Sequence, residues 1–241
     1  MPRFENPKPA TPVSYSEADY ESYLIQLPRG TSRLETIGEP ISCHKNYVLA
    51  RAGQVPKYCY VVKSGRVVSY EYSANGEERI YNFNERNSVL LETNVLFDKI
   101  IPVNFKTMMP SELLRIDKQT LLDAVMKDPQ LALDLMESTS MKFLSAMEQI
   151  RQYNIHNASW KICNFLLIFA SHYGVPYDGK ILIEEKISQQ MMSSMLGINR
   201  ITVVRAIKDL KNMALIENIN GYYCIRNVEK LRRHQRMLDE M

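Results

Sequence analysis

No apolar run in this 241-residue sequence approaches the ~20 residues needed to cross a bilayer, and residues 1–11 lack the apolar stretch of a secretory leader. Cysteine is scarce: Cys43, Cys59, Cys163 and Cys224 lie too far apart for a disulfide framework or a CxxC redox motif. Charge of one sign is lacking too. With 30 Lys+Arg against 27 Asp+Glu the balance is only +3, which excludes a polybasic tail protein and a charge-driven disordered chain. Nor is there a Ser/His/Asp set, a paired-carboxylate motif, a phosphate-cradling loop or a spaced histidine metal motif; the four histidines are isolated. Cys43-His44 has no spaced partners and reads as a small apolar residue beside an exposed polar one. These absences lead us to expect a cytoplasmic protein that is not an enzyme and uses no metal or cofactor.

What is present is core-forming material. Hydrophobic residues make up 45% of the chain, enough for a sizeable core without staples. At ~150 residues per domain, the length suits one large domain or two small ones. The charge is unevenly placed: residues 157–241 carry 12 Lys+Arg and 8 Asp+Glu, whereas residues 1–156 carry 18 and 19. A basic C-terminal third on a near-neutral body fits a nucleic-acid-binding module joined to a sensor, although ordinary solvated charge gives the same numbers.

Pro2, Pro7, Pro9 and Pro12 predict an extended arm over residues 1–20. From about Ile41 to Ile116 short runs of β-formers alternate with turns. Tyr58-Cys59-Tyr60-Val61-Val62 ends at Ser64-Gly65, and Arg66-Val67-Val68-Ser69-Tyr70-Glu71-Tyr72 leads through Asn75-Gly76 into a further run to Phe83. An Asn-Gly turn between such runs signals a hairpin, and strands at this spacing predict a sandwich or closed barrel. Asp128-Pro129 then supplies a helix start, with no glycine or proline until Gly174. Leu133, Met136, Ser140, Phe143, Met147, Ile150 and Asn154 recur at spacings of three and four, a heptad seam. A second stripe, Leu131, Leu135 and Leu144, needs another partner. One stripe toward the barrel and one toward a second subunit accounts for both and predicts a homodimer. A further helix is expected over residues 158–172, ended by Tyr173-Gly174-Val175-Pro176, with a short strand at Ile181-Leu182-Ile183.

Residues 186–197 read as a capped helix closing at a glycine, and residues 199–210 as a second helix, with Ser188 and Asn199 as N-caps. Met192, Met195, Leu196, Ile198, Val203, Ile207 and Leu210 form the inner faces. Asn199, Arg200, Ile201, Thr202 and Arg205 lie outward near the start of the second helix, as in a helix-turn-helix whose second helix reads the DNA major groove. A hairpin over residues 215–225, turning at Asn220-Gly221, provides a wing.

The stretch from Lys186 to Ile216 resembles the helix-turn-helix of the Crp/Fnr family of transcription factors. Tyr60-Val61-Val62-Lys63-Ser64-Gly65-Arg66-Val67 and the Asn75-Gly76-Glu77-Glu78 hairpin resemble that family's cyclic-nucleotide-binding-type barrel. The resemblance implies an α+β homodimer. Each subunit would hold an effector-sensing β-barrel (a double-stranded β-helix, or jelly roll) over residues 21–127. A dimerisation helix follows over 128–156 and a winged helix-turn-helix over 157–241. The family's recognition helix commonly presents Arg-Glu-Thr-Val-x-Arg. Here Arg200-Ile201-Thr202-Val203-Val204-Arg205 keeps both arginines but replaces the glutamate with Ile201. Arginine pairs bidentately with guanine, whereas isoleucine offers only apolar contact, for instance to a thymine methyl. The expected site is therefore a palindromic duplex with half-sites more A·T-rich than the TGTGA type. Ser188, Gln189 and Thr202 are the candidates for phosphate contacts. For Arg205 the alternative is a salt bridge to Asp209 at i+4.

The family's cyclic-AMP binders carry a Gly-Glu pair and, about ten residues on, an Arg-Ser pair. Glu92 matches the glutamate, but its glycine and the arginine are missing, and Lys106-Thr107 is the nearest substitute. Lysine lacks the bidentate fork that suits phosphate, so cyclic AMP is not expected. Arg79-Ile80-Tyr81-Asn82-Phe83, Asn87-Ser88-Val89-Leu90 and Asn104-Phe105-Lys106-Thr107 are similar to the CprK-like branch of the family, which answers to halogenated phenols. That likeness implies a small effector between barrel and long helix, with Tyr81, Phe83, Glu92, Phe105, Lys106 and Lys142 as candidate pocket residues; each also suits plain barrel core. An activator would further contact RNA polymerase. Two alternatives stand beside this reading: a constitutive DNA-binding dimer whose barrel holds no ligand, and a barrel enzyme.

Overall fold

The computed structural model describes residues 25–26 and 32–238; the proline-rich arm lies outside the described residues. The first half of the chain builds two facing sheets. One has the order β1-β6-β5-β8-β3, from β1 (Ile25–Gln26), β6 (Glu78–Asn84), β5 (Val67–Tyr72), β8 (Asn104–Thr107) and β3 (Val48–Ala50). The other runs β2-β9-β4-β7, from β2 (Glu39–Cys43), β9 (Ser111–Asp117), β4 (Tyr58–Ser64) and β7 (Val89–Leu90). The β5–β6 hairpin turns at Asn75-Gly76, where Gly76 takes φ +79°. Tyr60, Val62, Val67, Leu90 and Leu113 fill the space between the sheets.

The near-continuous apolar run of β4 reflects burial on both faces. Its Tyr60 and Val62 point into the barrel, whereas Cys59 and Val61 pack outward against helices. Those helices are α2 (Lys118–Lys127) and the start of α3 (Pro129–Ile155), which contribute Leu121, Leu131 and Leu135. Helix α2 was not anticipated. It follows β9 without a linker, started by the Asp117 carboxylate accepting from the Thr120 amide at 3.0 Å. Asp128 caps α3 in the same way, accepting from the Gln130 amide at 3.1 Å, with Pro129 in the first turn as expected.

Helix α3 runs 27 residues, about 40 Å at 1.5 Å per residue. Leu131 and Leu135 face the barrel, but Leu144, read as part of the same stripe, is 59% exposed. The assignment of Leu144 to the barrel face is thus corrected: nine residues after Leu135, at 100° per residue, it lies about 180° around α3 from the face that packs on the barrel, beside the exposed apolar line. Leu133, Met136, Phe143, Met147 and Ile150 form an exposed apolar line along α3.

After a two-residue break at His156 and Asn157, α4 (Ala158–Tyr173) begins with the Asn157 side chain accepting from the Trp160 amide. The segment expected only to end this helix continues as β10 (Gly174–Tyr177), which pairs with β11 (Lys180–Ile183) and places Pro176 on the outer strand of a sheet ordered β10-β11-β13-β12. Helices α5 (Gln189–Leu196) and α6 (Arg200–Asn212), the hairpin β12 (Ile216–Ile219) and β13 (Tyr222–Ile225), and α7 (Val228–Met237) complete this module. The wing turns at Asn220-Gly221, both at positive φ, as a two-residue I′-type connection requires.

The two modules share a core. Val68, Tyr70, Ile80 and Phe83 on the outer face of β5 and β6 join one apolar cluster with Phe165 and Phe169 of α4 and Met192 of α5. Phe83 meets Phe169 edge-on at 6.1 Å between ring centroids. Beside them Arg66, only 7% exposed, stacks over Phe83 at 4.4 Å. Its guanidinium donates to Glu85 at 2.7 Å and to both carboxylate oxygens of Glu185 at 2.9 and 3.2 Å. Tyr173 accepts from Arg66 at 3.2 Å and donates to Glu85 at 2.7 Å. Burial alone would lower the Arg66 pKa, but the Glu185 hydrogen bond and the surrounding negative groups outweigh it and hold the guanidinium cationic. Burial also pushes the Tyr173 hydroxyl well above its ordinary pKa, so it stays a donor.

Replacing Arg66 with Met should strand two carboxylates at this junction. We expect a loss on the order of 2–3 kcal/mol in urea denaturation, below that of a fully buried pair because both carboxylates keep some water. Adding Glu185→Gln to Arg66→Met should recover part of it.

Candidate nucleic-acid interface and effector site

Helix α5 starts where the Ser188 hydroxyl accepts from the Met191 amide at 3.0 Å, and α6 where Asn199 Oδ1 accepts from the Ile201 amide at 2.8 Å. Between them Gly197 takes φ +61°, a left-handed turn in which a Cβ would sit 2.9 Å from the Tyr153 hydroxyl of α3. The turn is fixed further by Ser193, whose hydroxyl donates to the Ile198 carbonyl at 2.7 Å and whose carbonyl accepts from Arg79 of β6 at 3.2 Å. Met192, Met195, Leu196, Val203, Ile207 and Leu210 are buried and Ile198 packs against them, as their spacing required.

Asn199, Arg200, Ile201 and Arg205 are exposed on one end of α6, with Thr202 half-buried beside them. Neither Arg200 nor Arg205 enters an ion pair among the described residues, and Arg205 does not pair with Asp209. Their guanidinium groups are free to meet an outside partner. Ser188 is exposed and Gln189 half-buried. Val204 and Lys208 complete the exposed face and were not among the residues picked from sequence. Their positions three and seven after Ile201, with Val203 turned inward, carry the signal that would have found them.

The six candidate effector residues do not share one cavity. Glu92 lies on α1 (Glu92–Leu96), buried, and pairs with Lys142 of α3, which also donates to the Val89 carbonyl at 2.9 Å. Phe105 turns toward the barrel interior. Lys106 and Phe83 both pair in register with Val68 and so share its outer face. There Lys106 lies 4.2 Å from the Tyr70 ring and pairs with Glu78, while Phe83 belongs to the core between modules. Tyr81 is the extra residue where the β5–β6 register slips, and its exposed hydroxyl donates to Glu71 at 2.6 Å. The pleat, together with that bulge, separates residues that cluster in sequence. What the structure brings together instead is the Glu92–Lys142 pair and an open groove of about 460 Å³ that Glu92 helps line with Leu96, Phe97, Leu122, Leu135 and Met136. Among the described residues, one oxygen of Glu92 is buried without a partner. The α2 contribution, Leu122 and Val125, belongs to a helix that was not expected; its signal is the Asp117 cap ahead of that apolar pair.

All four cysteines are buried, and burial raises each thiol pKa, to about 12 for Cys59 and Cys163. Among the described residues no cluster of His, Cys, Asp and Glu could hold a metal ion, and no helix is long and apolar enough to cross a membrane.

Residues 40–128 match the family model of the cyclic nucleotide-binding domain, and residues 161–234 that of the Crp-like helix-turn-helix domain, together about two thirds of the chain. The global nitrogen regulator of Synechococcus elongatus is 26% identical over 168 residues, covering 68% of this chain and 75% of that protein. Among solved structures, CprK complexed with OCPA superposes with a TM-score of 0.72 at 14% identity, covering 88% of this chain and 98% of the other. A CooA mutant from Carboxydothermus hydrogenoformans gives 0.73 at 18% identity, covering 88% and 99%. At such identities these superpositions speak for the fold. An effector-binding barrel followed by a DNA-binding helix-turn-helix defines a ligand-responsive transcription regulator. This chain belongs to the Crp/Fnr family of such regulators, and its homologues are regulators rather than enzymes.

Two outcomes follow from this geometry. Lys142→Met should cost about 3 kcal/mol by leaving the Glu92 carboxylate buried and unpaired, and Glu92→Gln in the same chain should restore most of it; thermal and urea unfolding measure both. Iodoacetamide at pH 8 should label none of the four cysteines in the native protein and all four in denaturant, as read by mass spectrometry, because the raised pKa values keep the thiols protonated.

Proposed function

We propose that this chain works in the cytoplasm as a homodimer that grips a palindromic DNA site with its two α6 helices and is switched by a small effector other than cyclic AMP. The observation that carries this reading is the start of α6, where Arg200 and Arg205 stand exposed, without an ion pair among the described residues, on either side of Ile201 and Thr202. Arginines so placed suit bidentate contact with guanine, and the Ser188, Gln189 and Thr202 side chains suit phosphate oxygens. The exposed line Leu133, Met136, Phe143, Met147 and Ile150 on α3 supports dimerisation, since such a stripe is costly in water and matches a coiled-coil seam. Across a two-fold axis the two α6 helices would meet successive major grooves ~34 Å apart.

The working division is an arm over 1–20, a barrel over 21–127, a dimer helix over 128–156 and a winged helix-turn-helix over 157–241. The extended residues His156 and Asn157 serve as the hinge. The effector acts near Glu92 and Lys142, where barrel and α3 meet, by binding one arrangement of the modules better than the other. Absence of the phosphate-binding arginine supports an effector other than a cyclic nucleotide, and activation would proceed through a contact with RNA polymerase.

Selection of bound duplexes from a random DNA pool tests the reading. We expect a two-fold consensus, with Arg200→Ala and Arg205→Ala each weakening it about tenfold or more. Undiminished binding by both variants would remove α6 as the reader.

A further inference from the structure

Helix α6 has two apolar faces, and only one is used inside the protein. Val203, Ala206, Ile207 and Leu210 are buried against α4 and α5. On the opposite side Ile201 is 69% exposed and Val204 41% exposed, one turn apart and flanked by Arg200 and Arg205. Neither Ile201 nor Val204 belongs to an apolar cluster of the chain. As β-branched residues they are also poorer helix formers than the Ala, Glu or Lys that suit a solvent-facing position. Their exposure is therefore unexplained by folding, and it sits where the helix meets its ligand.

We propose that Ile201 and Val204 act together as an apolar reader of the C5 methyl groups of two neighbouring thymines in each half-site. This rests on α6 being the recognition helix. Side chains at i and i+3 stand about 5–6 Å apart at Cβ, on the scale of one to two base steps at about 3.4 Å each. Neither side chain can donate to or accept from a base edge, so the thymine methyl is the one major-groove feature they can recognise. The guanine contacts of Arg200 and Arg205 set the register, and the apolar pair supplies discrimination that depends on a methyl group rather than on a hydrogen bond. The same pair would accept the methyl of 5-methylcytosine, which occupies the same position on the pyrimidine ring.

The test uses the full-length protein and the duplex recovered by selection. Thymines of the half-site are replaced one at a time by uracil, which keeps every hydrogen-bonding group and removes only the methyl. We expect a loss of about fourfold at each of two adjacent positions and little change elsewhere. That loss should vanish in the Ile201→Ser, Val204→Ser double variant, whose exposed substitutions leave the fold intact by circular dichroism. With cytosine at those positions, 5-methylcytosine should bind more tightly than cytosine. Ile201→Glu should move the preference toward cytosine, whose N4 amino group a carboxylate accepts. If uracil duplexes bind as tightly as thymine duplexes while Arg200→Ala and Arg205→Ala still weaken binding, the methyl reader is wrong and the recognition helix stands. If the arginine variants also bind unchanged, the recognition helix falls and the methyl reader with it.

Discussion

A guanidinium that has lost nearly all its water must find its hydrogen bonds and counter-charge within the protein. Arg66 finds them on both sides of the junction between modules: Glu85 belongs to its own barrel, Tyr173 and Glu185 to the DNA-binding module. The apolar contact around Phe83 and Phe169 is broad but non-directional, and by itself would let the two surfaces slide. A forked pairing with Glu185 fixes an angle. Burial of apolar surface thus holds the modules together, and the charged cluster selects one arrangement of them.

That arrangement reaches the reading head through short connections. Tyr153, in the last turn of α3, lies against the Gly197 turn from one side, and Arg79 of the β5–β6 hairpin holds the Ser193 carbonyl in the same turn. Barrel and long helix therefore both touch the corner that sets the direction of α6. The two-residue break at His156 and Asn157 joins α3 to α4, so the helix and the module it carries remain separate bodies linked by touch rather than by one continuous rod. A shift in either the barrel or α3 has a direct physical route to the orientation of Arg200 and Arg205.

Features governed by neighbours in sequence were legible in it. The Ser188 and Asn199 caps, the proline start of α3, the Asn75-Gly76 and Asn220-Gly221 turns and the inner faces of α5 and α6 all stand as their local chemistry required. What was not legible depends on partners far along the chain. Glu185 lies 119 positions from Arg66, and neither residue advertises the other. Leu144 is the opposite case: nine residues after Leu135 it falls on the far side of the helix, so the 3.6-residue period already separates it from Leu131 and Leu135. Tyr81, Phe83 and Lys106 stood close to one another in the expected pocket, but strand pleat and a one-residue bulge turn them outward. Helix α2 follows a strand with no glycine or proline between, and the Asp117 cap is the one local mark of the change.

The C-terminal sheet has one more property of consequence. Its outer strand β10 carries Pro176, which has no amide hydrogen to offer a further strand. An edge blunted in this way does not recruit a second sheet from a neighbouring molecule, and self-association by strand addition is closed on that side. Only the opposite edge, β12, keeps the backbone groups that a further strand would need.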